Sequence, residues 1–248
     1  MRKLFIFDID GTLTPSRQKM TKEFKEFFER WVNFNKFYLV TGSDLPKLQE
    51  QMDYFDIEAE GIFTCCGNEF WRPDPHIVNV SAELIYENKF ELPEHLKMFL
   101  NIILSQSKYP HRYGNHIEDR GSMVNFSIVG RDCSQHQREI FFEWDNQNQE
   151  RKKIANIIKQ KAEGIDAVIG GQISIDIYPE GNDKSQILDV IKQDRLVEPD
   201  EYIFIGDRTM KGGNDYPLAK LMEKTENCSY YQTEGWKETK QILEKLSD

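Results

Sequence analysis

A chain of 248 residues is long enough for one large domain or two modest ones, each with its own core. A composition of 39% hydrophobic and 30% charged residues reads as soluble and globular, and a formal charge of −10 argues against a general nucleic-acid or acidic-membrane binder. No apolar run approaches transmembrane length, and after Arg2 and Lys3 only four apolar residues precede Asp8, which excludes a signal peptide.

Leu4-Phe5-Ile6-Phe7 predicts a strand buried on both faces, as in a parallel sheet. It runs into Asp8-Ile9-Asp10-Gly11, and the two-residue period of a strand sends Asp8 and Asp10 to the same side. Neighbouring carboxylates repel, so the pair calls for a positive partner, with Mg²⁺ the usual hard cation; a polar turn is the plain alternative. Thr21 can cap a helix with Phe24, Phe27, Phe28 and Trp31 on one face. Phe37 to Val40 is the next strand and ends in Thr41-Gly42-Ser43-Asp44, where Ser43 or Asp44 caps a helix bearing Leu45, Leu48 and Met52. Gly61 to Thr64 is a third strand. This alternation of strand and helix predicts a parallel sheet with right-handed crossovers.

Near residue 82 the rhythm changes. A helix from Leu92 to Ser105 is followed by strand-like runs at Ile117 to Asp119, Met123 to Val129, Ala167 to Ile169 and Ile173 to Tyr178. Asn125 and Ser127 alternate with Phe126 and Ile128, as in a strand with one wet face. Helices are expected around Ser134 to Trp144 and Glu150 to Ala162. Together these predict an antiparallel α+β domain over residues 82–181, inserted into a parallel core of 1–81 and 182–248. The core resumes with a helix from Lys184 to Gln193, a buried strand at Tyr202 to Ile205, a short helix at Leu218 to Met222, an edge strand at Ser229 to Gln232 and a helical tail from Trp236 to Leu246.

Three pieces answer the opening carboxylates. Thr41 follows a strand directly, although alone it reads as a helix-entry residue. Lys184 opens a helix after the Pro179-Glu180-Gly181-Asn182 turn, where an exposed lysine would be unremarked. Asp207 ends a buried strand and precedes a loop containing Gly212, Gly213, Asn214 and Asp215, a chemistry that brings oxygen ligands to a cation. Together they place acid, hydroxyl and lysine at strand ends and helix starts of one parallel sheet, where open α/β folds bind ligands. Four cysteines (Cys65, Cys66, Cys133, Cys228) show neither metal nor disulfide spacing and fit a reduced, cytoplasmic setting; five scattered histidines form no ligand pattern.

Phe7-Asp8-Ile9-Asp10-Gly11-Thr12-Leu13-Thr14 with Arg17, Gly170-Gly171-Gln172-Ile173-Ser174-Ile175-Asp176 leading to Pro179-Glu180-Gly181-Asn182-Asp183-Lys184, and Gly206-Asp207-Arg208-Thr209-Met210-Lys211-Gly212-Gly213-Asn214-Asp215 resemble the signatures of the haloacid-dehalogenase-like phosphotransferases, and within them the eukaryotic-type phosphomannomutases. Ile117-Glu118-Asp119-Arg120, Val129-Gly130-Arg131 and Arg138 are similar to that family's cap-domain arginines. The resemblance runs from Phe5 to about Tyr216. It implies a Rossmann-like α/β core with an inserted α+β cap. It also implies interconversion of mannose 1-phosphate and mannose 6-phosphate through an aspartyl-phosphate, as in mannose metabolism that feeds GDP-mannose biosynthesis.

In that likeness Asp8 is the nucleophile and Asp10 the general acid and base, while Lys184 and Thr41 hold the phosphoryl group. Mg²⁺ sits among Asp8, the Asp10 carbonyl and Asp207, supported by Asn214 and Asp215. Arg17, Arg120, Arg131 and Arg138 grip the second phosphate, a task suited to the planar, permanently charged guanidinium. Ser174 and Asp176 bind sugar hydroxyls. A hexose 1,6-bisphosphate serves as intermediate and activator, and the family implies a homodimer through the cap. Any one arginine alone reads as a surface salt bridge; three at the family's spacing read as a grip. Thr41 stands where the family has glycine, Cys65-Cys66-Gly67-Asn68-Glu69 replaces its Glu-Asn-Gly, and Tyr216 to Thr225 lacks its Asp-Pro-Arg-Thr pattern. The first two departures keep a Mg²⁺-dependent sugar-phosphate phosphatase as the alternative.

Overall fold

The computed structural model describes residues 2–52, 59–73, 82–194 and 199–247. It divides into two units: Met1–Glu87, Asp183–Lys211 and Asp215–Asp248 form the first, and Asn88–Asn182 with Gly212–Asn214 form the second.

The first unit is built on β1 (Lys3–Asp8), β2 (Lys36–Val40), β3 (Gly61–Thr64), β4 (Glu69–Pro73) and β5 (Ala82–Glu87), joined late in the chain by β10 (Glu201–Gly206) and β11 (Cys228–Gln232). Their order is β11-β10-β1-β2-β3-β4-β5, parallel from β11 to β3 and antiparallel at β4 and β5. The apolar runs are continuous because both faces are covered. Phe5, Phe7, Phe37, Leu39, Ile203 and Ile205 share one core with Phe24, Phe28 and Trp31 of α1 (Lys22–Val32) and Leu243 of α8 (Trp236–Ser247). Leu4, Ile6, Tyr38, Val40 and Phe204 share the other with Ile187 and Ile191 of α6 (Ile187–Asp194) and Leu218 and Met222 of α7 (Tyr216–Glu223). Local sequence sets the helix starts: the Thr21 hydroxyl accepts from Phe24 N, and Asp44, not Ser43, caps α2 (Leu45–Gln51) by accepting from Lys47 N.

The expected boundary at 82 shifts to 88. Ala82–Glu87 pairs with β4, Phe70 opposite Tyr86, and so belongs to the first sheet. Neither β4 nor β5 was anticipated. The β5 segment is mostly exposed and lacks a clean alternation, so backbone pairing rather than burial makes it a strand.

The second unit holds β6 (Ile117–Asp119), β7 (Val124–Ser127), β8 (Ile165–Gly170) and β9 (Ser174–Pro179) in the antiparallel order β6-β7-β9-β8. Val124, Phe126, Ala167, Ile175 and Ile177 share a core with Leu96 and Leu100 of α3 (Glu94–Gln106), Phe141 of α4 (Gln135–Asn148) and Ile154 and Ile158 of α5 (Glu150–Lys161). Ser134 and Gln137 form a reciprocal capping box on α4. Between α4 and α5, the Arg151 guanidinium pairs with Asp145 (2.7 Å) and donates to the Gly171 carbonyl (3.0 Å), with both side chains buried.

The wet face expected at Asn125 and Ser127 is corrected: each is 1% exposed. Asn125 Nδ2 donates to Asp176 Oδ1 (2.7 Å), and Ser127 Oγ accepts from Gly130 N (3.2 Å). The alternation is present, but it marks a buried polar face whose side chains bond to one another and to backbone, not a solvated one. No helix among the described residues is long and apolar enough to cross a membrane.

Candidate active site

Parallel pairing aligns the carboxyl ends of three strands. Asp8 ends β1 opposite Val40, so Thr41 comes one residue later on the neighbouring strand; Phe7 lies opposite Ile205, just before Gly206 and Asp207. The carboxylates of Asp8, Asp207 and Asp215 converge here, with one oxygen of each within 4.8 Å of the others.

Lys184 is the counter-charge. It opens a short 3₁₀ turn, Lys184–Gln186, whose start is fixed by Asp183 accepting from Ser185 N. The fully buried Nζ donates to Asp8 Oδ1 and to Asp215 Oδ1, each at 2.6 Å. Asp215 Oδ2 also accepts from Arg208 N (2.9 Å), and the Arg208 side chain pairs with Asp207 (3.3 Å). Thr12 Oγ1 donates to Asp8 Oδ2 at 3.3 Å.

Two glycines permit this crowding. Gly11, at φ +84°, would place a side-chain carbon 2.6 Å from Asp207 Oδ2; one at Gly206 would lie 2.6 Å from Asp215 Oδ2.

The charges do not balance. Burial pushes the Asp8 carboxyl well above its ordinary range, Lys184 pulls it back, and Asp215 and Asp207 raise it again. Burial and then Asp215 lift Asp207 to about 7. Burial alone would lower Lys184, but Asp215 and Asp8 hold it well above the usual lysine value. Asp8 and Asp207 therefore bind protons more tightly than ordinary carboxylates, for want of a further positive charge among them. An all-oxygen set of this kind fits a hard divalent cation.

Asp10 is held separately. Its Oδ1 accepts from Arg17 N (2.6 Å) and from Gln51 Nε2 (2.9 Å). Arg17 reaches it in a left-handed conformation, φ 59°. Thr41 is buried, and its hydroxyl accepts from Ser43 N at 3.0 Å. Asn214 is also buried, in the Gly212–Asn214 stretch grouped with the second unit.

The other predicted residues gather in the second unit. Glu118 Oε2 accepts from Arg120 Nη2 (2.7 Å) and pairs with Arg131 Nη2 (3.1 Å). Arg131 Nη1 donates to Ser174 Oγ (3.0 Å), and Arg138 Nη2 to the Arg131 carbonyl (3.2 Å). Ser174 and Asp176 lie opposite Ser127 and Asn125 on the buried polar face. Gly170 lets Asp176 approach, since a side-chain carbon there would lie 2.2 Å from Asp176 Oδ2. Arg120, Arg131, Ser174 and Arg138 are therefore joined in one polar network through Glu118 and the Arg131 carbonyl, and Asp176 bonds Asn125 on the same buried face. Sequence reasoning missed Gln51, Arg208 and Glu118. Gln51 carries no local signal, whereas Arg208 directly follows the predicted Asp207 and Glu118 stands two residues from a predicted arginine.

The parallel sheet, the carboxylates at its strand ends and the inserted antiparallel unit define a haloacid-dehalogenase-like fold. Solved structures share the fold. A Plasmodium falciparum IMP-nucleotidase with IMP bound superposes at a TM-score of 0.61 and 16% identity, over 99% of this chain and 68% of that one. The Thermoplasma acidophilum protein 0175 gives 0.59 at 18% identity, over 100% and 99%. The sequence model described as Eukaryotic phosphomannomutase matches residues 24–247. Curated relatives include a phosphomannomutase of Encephalitozoon cuniculi, 35% identical over 88% of this chain and 84% of its own length. Phosphomannomutase 1 of Dictyostelium discoideum is 34% identical (86% and 85%), and a probable phosphomannomutase of Caenorhabditis elegans 32% (99% and 95%). The chain belongs to the eukaryotic phosphomannomutase family.

Proposed function

We propose that the protein interconverts mannose 1-phosphate and mannose 6-phosphate by way of an aspartyl-phosphate and a hexose 1,6-bisphosphate. The observation that carries this, within a chain of this family, is the buried Asp8 pinned by Lys184 beside Asp207 and Asp215. Pure binding needs no such nucleophile.

Asp8 attacks the phosphorus of the bisphosphate. As the bond from phosphorus to the sugar oxygen breaks, Asp10 gives that oxygen a proton, and in the return step it takes one from the incoming hydroxyl. Lys184 and Thr41 hold the transferred phosphoryl group. Asp8, Asp207 and Asp215, with Asn214 and the Asp10 carbonyl, hold Mg²⁺, which when bound screens phosphoryl charge from the anionic nucleophile. Arg120, Arg131, Arg138 and Arg17 take the distal phosphate by charge-assisted forks, while Ser174 and Asp176 take sugar hydroxyls. The bisphosphate primes Asp8 and is the activator. The family supports a homodimer through the second unit, and four cysteines without disulfide pairing support a cytoplasmic setting.

The test supplies purified protein with Mg²⁺, mannose 1-phosphate and a catalytic amount of hexose 1,6-bisphosphate, and follows mannose 6-phosphate and free phosphate together. Isomerisation dependent on the bisphosphate is the expected result. Phosphate release without isomerisation would overturn it in favour of the phosphatase.

A further inference from the structure

Gln51 is the last residue of α2, 5% exposed, and nothing in the roles described above uses it. Its side-chain amide donates to Asp10 Oδ1 at 2.9 Å and reaches Thr14 Oγ1 at 3.4 Å. Its backbone carbonyl accepts from Met20 N at 2.9 Å. One residue thus ties down both the carboxylate and the loop that follows it.

The orientation of the amide is informative. Turned the other way, it would set its carbonyl oxygen against a carboxylate oxygen that Arg17 N also addresses, leaving acceptor facing acceptor. As it stands, Gln51 Oε1 is buried without a hydrogen-bond partner among the described residues. Leaving a buried acceptor unmet is unfavourable, so the donor side is held to Asp10 at the expense of the acceptor side. With two N–H donors on Oδ1, that oxygen is occupied as an acceptor, and Oδ2 is left to carry the proton.

We infer that Gln51 is a positioning residue for proton transfer, holding Asp10 so that Oδ2 faces the sugar oxygen. This rests on the reading of Asp10 as general acid and base. When the Asp8 carboxylate bonds to phosphorus and the phosphorus–oxygen bond to the sugar breaks, the departing oxygen takes the proton from Oδ2. The return step reverses each bond and returns the proton. A group that orients the acid matters in proportion to how badly the leaving group needs a proton. Hexose alkoxide needs one; acetate does not.

The experiment measures single-turnover phosphorylation of Asp8 with Mg²⁺, from hexose 1,6-bisphosphate and from acetyl phosphate. Gln51→Met keeps the length of the side chain and removes the donor, while Gln51→Glu keeps the shape and places an acceptor against Oδ1. General acid catalysis contributes about 10²–10⁴-fold, so a misdirected acid should slow the bisphosphate reaction roughly tenfold to a hundredfold. The acetyl phosphate reaction should change less than about threefold on the same reasoning, and the loss should be larger for Gln51→Glu. Equal slowing with both donors, or no slowing with either, would overturn the assignment. Asp10→Asn run alongside separates the two claims: if it shows no selective loss on the bisphosphate, the role of Asp10 itself fails, whatever Gln51 does. Thermal unfolding of each variant identifies a fold defect, which slows both donors alike.

Discussion

Asp207 should make the metal-free protein lose stability as pH rises, and Asp207→Asn should remove much of that loss. The carboxyl is raised from 3.8 to about 7, chiefly by burial and then by Asp215. A raised carboxyl means that the folded state holds the proton more tightly than the unfolded one. Stability is therefore unaffected below about 4, falls between about 4 and 7, and levels above that. A tenfold difference in proton affinity is about 1.4 kcal/mol, so three decades set a ceiling of about 4 kcal/mol. The side chain is 21% exposed, and water screens part of this, which leaves about 2–4 kcal/mol. For a chain of this size that is roughly 5–12 °C in Tm. Urea unfolding in EDTA from pH 4.5 to 8 measures it: Asp207→Asn should be the more stable protein at pH 8, and the two should converge near pH 4.5. Asp8, also raised, keeps some slope in the variant. Saturating Mg²⁺ should close or reverse the gap at pH 8, because a ligand bound only to the folded state stabilises it, and the variant has lost one carboxylate of the trio. Parallel stability curves for the two proteins in EDTA would refute the reasoning.

Three further outcomes follow from named contacts. Gly11→Ala should weaken cation binding by calorimetric titration and destabilise the protein by at least about 1–2 kcal/mol, since φ is +84° and the added carbon meets Asp207. With Arg131 in its proposed role at the distal phosphate, Arg131→Ala removes a charge-assisted donor worth about 1.5–3 kcal/mol, so KM for mannose 1-phosphate should rise roughly tenfold to a hundredfold, while Asp8 phosphorylation by acetyl phosphate stays near wild type. Arg151→Met leaves Asp145, 3% exposed, without its buried partner and should cost about 3–5 kcal/mol in urea unfolding; the double variant with Asp145→Leu should recover most of it.

Much of the fold was legible because burial on both faces leaves continuous apolar runs. Leu4 to Phe7 and Tyr202 to Ile205 could be placed as central strands without knowing their neighbours. The β5 strand was not legible, since its partner supplies backbone hydrogen bonds rather than a burial pattern. The alternation around Asn125 and Ser127 was legible in period but not in meaning, because polar side chains that bond each other look, in sequence, like ones that bond water. Gln51 was invisible for a related reason: it completes an amphipathic helix, and only its distant partner gives the amide a task.

The sequence by itself marked a buried strand that ends at Asp8 with Asp10 two residues on, and an acidic loop, a threonine and a lysine at strand ends or helix starts. Those properties are written in short-range period and in the residues that interrupt it. Only the tertiary structure decided how the carboxylates divide. Lys184 meets Asp8 across 176 residues and Asp215 across 31, which brings Asp215 from a supporting place to the centre of the trio. Asp10 is kept apart by Gln51 and the Arg17 backbone. Spacing along a strand says which groups share a side. Which of them share a charge depends on what the rest of the chain brings to meet them.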